Sequence, residues 1–426
     1  VRRALLIITM SALVLTACSS GSSSSSTTTV DALARVTVPD AFTPIVVTPI
    51  SNPTFPWLGT DGKYHVSYDL QLTNGSRLAA TIDSVDIVDG VDPARIVGSI
   101  KGPQLVDPNC PYGDCNRLRI LPSTAAPDTS MAPGESRALM IDLTFDALAQ
   151  APTAVLHRIT GTGAAGPPAR TPTPITELVA PFVISAGAPR VIGPPVKGDG
   201  WVAANGCCGM GWPHRPSLTS VDGRLQNSQR FAIDWMKLDD QGGLVGGDKT
   251  QNSSYASYDQ NIYAVADGTV VSILDGMDTN APGILPANDP VMAPKLTVEN
   301  VDGNHIILDI GGGAWAMYAH LVPGSMTVKP GDRVRKGDVI AKLGNTGNAN
   351  APHMHFQLMN NAIQFQADAL PYVIDHLSYV GQVLPQTLAA ADDYVTGTMF
   401  PTPFPAGQQR ADQLPMALAV VNFPTD

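Results

Sequence analysis

The sequence predicts a mainly β chain, and three observations carry that expectation. Glycine (39) and proline (37) are abundant, and only 15% of the 426 residues are charged, which suits short strands and turns better than long helices. Several runs alternate polar and apolar residues with the period of a half-buried strand, as in YHVSYDLQLTNGS from Tyr64. Gly-centred turns separate such runs, most densely in VKPGDRVRKGDVIAKLGNTGN. The length suggests two or three domains. A formal charge of −11 argues against a nucleic-acid partner.

Reading in chain order, Arg2 and Arg3 precede an apolar run, Ala4 to Leu15, that is too short to span a bilayer. It ends in LTAC, which resembles the lipobox of bacterial lipoproteins. That resemblance implies a lipoprotein signal peptide over 1–17 and a lipidated Cys18 as first residue of the mature chain. Residues 18–30 then form a Ser/Thr-rich tether. The expected location is the cell membrane, lipid-anchored on its extracytoplasmic face. Four further cysteines, Cys110, Cys115, Cys207 and Cys208, would lie in an oxidising compartment. Disulfides are expected in preference to a zinc site built from Cys207, Cys208 and His214, and their pairing stays open.

Residues 31–190 read as a β-sandwich-like accessory domain, built from strand-like runs such as ATIDSVDIVDG and SRALMIDLTFDAL. An Asn74-Gly75 turn follows the first long strand. Pro-rich stretches at 166–174 and 187–197 mark the exit. Over 198–366 the strands shorten. YAVADGTVVSI reads as a hairpin around Asp267-Gly268, and NHIILDIGGGAWAMYAHL as another around Gly311 to Gly313. Residues 367–426 form a C-terminal extension whose MALAVVNF suggests one last strand.

The chemistry-bearing residues gather in the second region. In NAPHMHFQLM, Met354, Phe356 and Leu358 alternate with His353, His355 and Gln357. Both imidazoles therefore project from one strand face, roughly 7 Å apart. In QRFAIDW, Phe231, Ile233 and Trp235 make an apolar face and leave Arg230 and Asp234 on the other. In AWAMYAHLVPG, His320 closes a strand ahead of a Pro-Gly turn. One carboxylate and three imidazoles are the inventory of a hydrolytic zinc site.

RFAID, YAVADGTVV, NHIILDIG, YAHL, the Gly-rich run and PHMHF, in that order over about 230–360, resemble the M23 (LytM- and lysostaphin-like) peptidase domain. The family carries HxxxD, YxHL and HxH stretches. The resemblance implies an antiparallel β domain over 198–366, a Zn²⁺ cofactor and the peptides of peptidoglycan as substrate. It assigns Asp234 and His355 to the metal and makes His353 and His320 the catalytic histidines. Gln357 becomes a second-sphere residue, and His305 a plain strand histidine. Asn345, Thr346 and the adjacent glycines become a wall of the peptide groove, with Arg230 a further substrate contact. The departure is at Arg230 itself, where HxxxD requires a histidine ligand. A guanidinium has no lone pair to donate. His214, in GWPHRPSL, is the candidate third ligand. Arg230 then either turns away to pair with an Asp or an acidic wall peptide, or occupies the metal position against Asp234. The second arrangement would make the chain a catalytically degenerate relative that binds wall or activates a separate amidase.

Overall fold

The computed structural model describes residues 38, 40–50, 54–109, 114–385 and 397–425. Cys18, the leader and tether segments and Cys110 lie outside the described residues. Among those described, the chain is mainly β, and its helices are single 3-10 turns.

The strand Tyr64–Asn74 shows how the first layer forms. Val66, Tyr68, Leu70 and Leu72 point into one core, where they meet Leu139, Ile141 and Leu143 of the neighbouring strand Ser136–Phe145. The six-stranded sheet holding both packs on a five-stranded sheet centred on Ala154–Gly163 and Ala80–Asp89, with Ile82, Val85 and Ile87 entering the same core. This is a two-sheet sandwich. The Asn74-Gly75 turn joins strands of different sheets rather than a hairpin, since Tyr64–Asn74 pairs with Ile45–Pro49 and Ser136–Phe145.

The opposite face of Tyr64–Asn74 carries His65, Ser67 and Asp69, the polar half of the alternation. A sandwich standing alone would leave them in water, yet all three are buried. A second sheet system covers them, and Trp57 bridges the two. Its ring stacks on His65 at 4.4 Å and meets Phe231 edge-on at 5.8 Å.

That second system is a ten-stranded sheet. Its centre runs His305–Asp309, Trp315–Ala319, Met354–Met359, Ile233–Lys237, Gly198–Ala204, each antiparallel to the next. Phe231, Ile233, Trp235, Met354, Phe356 and Leu358 fill its core. The hairpin around Gly311–Gly313 forms, pairing Ile306 with Tyr318. The one expected around Asp267-Gly268 does not. Asn261–Tyr263 pairs with Val339–Lys342, whereas Gly268–Leu274 pairs with His305–Asp309 and Arg333–Val334. A turn signal fixes where the chain bends, and distant partners decide what each arm pairs with. The C-terminal strands Leu377–Gln382 and Ala419–Phe423 continue the same sheet, Ala419–Phe423 lying beside Gly198–Ala204.

Candidate metal centre

Strand register builds the site. Asp234 lies directly opposite His355 on one side, and Ala319 lies opposite it on the other, so His320 follows immediately beside the pair. His353 enters one residue before Met354–Met359. A loop running from Asn205 to Leu218 delivers His214 from above. All five residues line one cleft of about 540 Å³.

Asp234 is the hub. One carboxylate oxygen lies 3.0 Å from His355 Nδ1 and 3.5 Å from His353 Nε2. The other lies 3.4 Å from His214 Nε2 and accepts a 2.7 Å hydrogen bond from Asn205 Nδ2. The His214 and His355 rings meet edge to face at 4.7 Å, and His320 lies 4.6 Å from His353 between ring centres.

Each imidazole has its other nitrogen engaged by the protein. Nδ1 of His214, His320 and His353 donates to the carbonyls of Ala232 (3.2 Å), Thr346 (2.8 Å) and Ala351 (2.8 Å). His355 is turned the other way, with Nε2 donating to Gln357 Oε1 at 2.8 Å. These partners leave Nε2 of His214, His320 and His353 as the lone pairs turned to the cleft, which is how outer residues fix the tautomer of a ligand. Nδ1 of His355 faces Asp234 instead, and although burial works against a charged ring, that contact outweighs it and raises the His355 pKa. Burial opposes a charge on Asp234, yet His214, His353 and His355 outweigh it and hold its carboxyl well below the usual range. Burial, with neighbouring imidazoles, pushes His214 down to about 4 and His320 well below its ordinary value. Both are therefore neutral, with nitrogen lone pairs to offer.

His214, Asp234 and His355 present three donor atoms within 4.8 Å of one another. Two imidazoles and a carboxylate are a donor set for Zn²⁺, so the residues fit the ion that the sequence resemblance implies.

The backbone is bent to serve this arrangement. His320 has φ +64°, a left-handed conformation costly for a non-glycine residue. It is pinned by its own amide, which donates to Asp302 O at 3.0 Å, and by the Thr346 carbonyl on its ring. Thr346 comes close because Gly303 and Gly347 stand back to back. A Cβ on Gly303 would lie 2.4 Å from Thr346 O, and one on Gly347 would lie 2.1 Å from Gly303 N.

Several sequence expectations change here. Asn345 and Thr346 are fully buried and do not wall a peptide groove. Asn345 donates to Asn252 Oδ1, and the glycines around it admit another backbone segment rather than substrate. Arg230 is not a substrate contact either. It is 1% exposed and points away from the cleft, pairing with Asp69 and Asp368 at 2.9 Å each. Its guanidinium therefore does not occupy the metal position. No Lys or Arg lines the cleft among the described residues. Cys207 and Cys208 are bonded to each other, so their sulfurs do not form a thiolate site with His214. His305 stands at the start of a strand, its Nδ1 bound to Gly303 O.

Two lining residues carried no signal in the sequence. Asn205 donates to the Asp234 carboxylate from just past the end of its strand. At Asp302, burial pushes the carboxyl up to about 7, opposed by His355, and Gln364 donates to it at 3.0 Å. Both depend on contacts far apart in sequence.

Comparison with known proteins bears on part of this centre. Residues 253–367 match the family model for peptidase family M23. Over 74 residues, 17% of this chain, the sequence is 38% identical to glycyl-glycine endopeptidase ALE-1 of Staphylococcus capitis, covering 20% of that protein. Over 86 residues it is 29% identical to peptidoglycan DD-endopeptidase ShyC of Vibrio cholerae, covering 19% of each. The chain thus spans about a fifth of the length of these relatives. The catalytic domain of lysostaphin from Staphylococcus simulans aligns at 22% identity and TM-score 0.20, over 35% of this chain and 80% of that one. Asp234 and His214 precede the matched segment. The segment 253–367 that matches the family model supplies His320, His353 and His355 to the cleft.

Proposed function

We propose that this chain is a zinc metalloendopeptidase that hydrolyses the peptide bonds of peptidoglycan, lipid-anchored through Cys18 on the extracytoplasmic face. The observation that carries the reading is the convergence of Asp234 with four imidazoles in one cleft, where His214 stands in for the ligand missing at Arg230. His214, Asp234 and His355 would hold the ion. Bound there, zinc supplies a Lewis acid that brings the pKa of water to about 7 and polarises a carbonyl. His320 and His353, with Nδ1 fixed to backbone carbonyls, keep Nε2 free to take a proton from attacking water and return it to the leaving amine. Tyr255, Trp212 and Leu244 give the cleft apolar walls for a peptide backbone.

The test pairs metal content with turnover on purified wall peptides. His353→Ala should keep its zinc and lose about 10²–10⁴-fold in hydrolysis. Asp234→Ala and His355→Ala should lose both. A zinc-loaded wild type that cleaves no wall peptide would overturn the enzymatic reading. For location, Cys18→Ala should move the protein from the membrane fraction to the soluble one, and an unchanged distribution would contradict the anchor.

A further inference from the structure

We infer that the N-terminal sandwich positions the third metal donor: Asp69, on its outer face, holds His214 in the cleft through Arg215 and Asn227. The inference rests on the reading of His214 as a zinc ligand.

His214 and Arg215 are adjacent, and their side chains serve opposite sides of the interface. His214 enters the cleft. Arg215 is wholly buried against the sandwich, where Nη1 donates to Asp69 Oδ1 at 2.6 Å and Nη2 donates to the carbonyls of Ile141 (2.8 Å) and Tyr68 (3.2 Å). Asn227 Nδ2 bridges the same pair, donating at 3.0 Å to Asp69 Oδ2 and to the backbone carbonyl of Arg215. A guanidinium fork engaged with three acceptors has little freedom. Fixing residue 215 on both side chain and backbone fixes the Cα of residue 214, one peptide away.

The loop is seated independently on either side of this dipeptide. Met210 and Leu218 pack onto Ala138 and Met140, outward-facing residues of the sandwich strand Ser136–Phe145. Charge makes the seat specific. Arg215 and Arg230 share Asp69, and Arg230 also pairs with Asp368, so the buried cluster balances two cations with two anions. By contrast, the His214 ring is held on the cleft side by a 3.2 Å bond to Ala232 O. The seat of the His214 loop therefore lies on the sandwich, outside the segment that the M23 match covers.

The experiment is a double-mutant cycle on zinc affinity in the full chain, read by competition with a chromophoric chelator. His214→Ala should weaken zinc by more than about 100-fold, and Asp69→Asn by about 10–100-fold, as for residues that orient a ligand. In the His214→Ala background, Asp69→Asn should add less than about 2-fold, because its effect passes through the lost ligand. An equal loss in both backgrounds would mean that Asp69 serves only general stability, and would overturn the inference. So would wild-type affinity in a folded Asp69→Asn. Unchanged affinity in His214→Ala would instead overturn the ligand reading and the inference with it. Should Asp69→Asn fail to fold, Asn227→Ala completes the same cycle by removing the bridge while keeping the charge balance.

Discussion

Gln357 shows at the residue scale how one side chain can set the chemistry of its neighbour. By accepting from His355 Nε2 it leaves Nδ1 facing Asp234, the reverse of the other three histidines. Gln357→Leu removes that acceptor inside a buried strand and should weaken zinc by about 10–100-fold in chelator competition. Gln357→Glu keeps an acceptor there and adds charge behind the ligand, so affinity at least equal to wild type is expected. Arg230 makes the complementary point. Restoring the HxxxD pattern with Arg230→His should gain no zinc, because this position faces Asp69 and Asp368 instead of the cleft. It should also leave those carboxylates under-compensated and lower stability by about 3–5 kcal/mol in denaturant unfolding. A gain in zinc affinity would show that the side chain can swing to the metal.

At the scale of the element, the strand Tyr64–Asn74 has two buried faces of opposite character. The inner one is aliphatic and aromatic. The outer one holds His65 between Asp142 and Asp61, each 3.1 Å from a ring nitrogen. Burial works against the charged imidazole, but the two carboxylates outweigh it and raise His65 to about 10. Because the folded pKa lies above the ordinary 6.5, this contribution is complete below pH about 6.5 and is lost as pH rises through about 10. Asp61 and Asp142 are lowered, so their share is present above about 3.8 and lost on acidification. The Tm gap between wild type and His65→Gln should therefore be widest near pH 4–6.5 and close as pH approaches about 10. A gap that stays constant through that alkaline range would contradict the ion-pair account.

Across the whole molecule, the sandwich and the site-bearing sheet share a buried polar interface instead of a linker. Asp69, Arg215, Asn227 and Arg230 are all buried there, and Trp57 belongs to the core of the second system while stacking on a residue of the first. The two systems should unfold in a single calorimetric transition, since parting them strands charges in each. Two resolved transitions in the wild type would show that the interface is energetically minor. A fragment beginning at residue 191 loses Asp69 and the seat for Met210 and Leu218. It should aggregate in gel filtration or bind zinc at least about 10-fold more weakly than the full chain.

The sequence alone determined what depends on local period and residue chemistry. Alternation in HMHFQLM and FAIDW placed His355 and Asp234 on polar strand faces and their neighbours in the core, because side chains of a strand alternate whatever it pairs with. Composition and turn residues were enough for a mainly β fold. The missing lone pair at Arg230 was likewise legible from chemistry alone, and it directed attention to His214. Tertiary structure decided which strands pair, which polar face is solvent and which is interface, and where the loop bearing His214 sits. Asp69 and Asp234 each occupy the polar side of an alternating strand, and nothing local distinguishes them. One joins an ion cluster between two sheets and the other gathers four imidazoles, because long-range register and burial assign the partners of a charge.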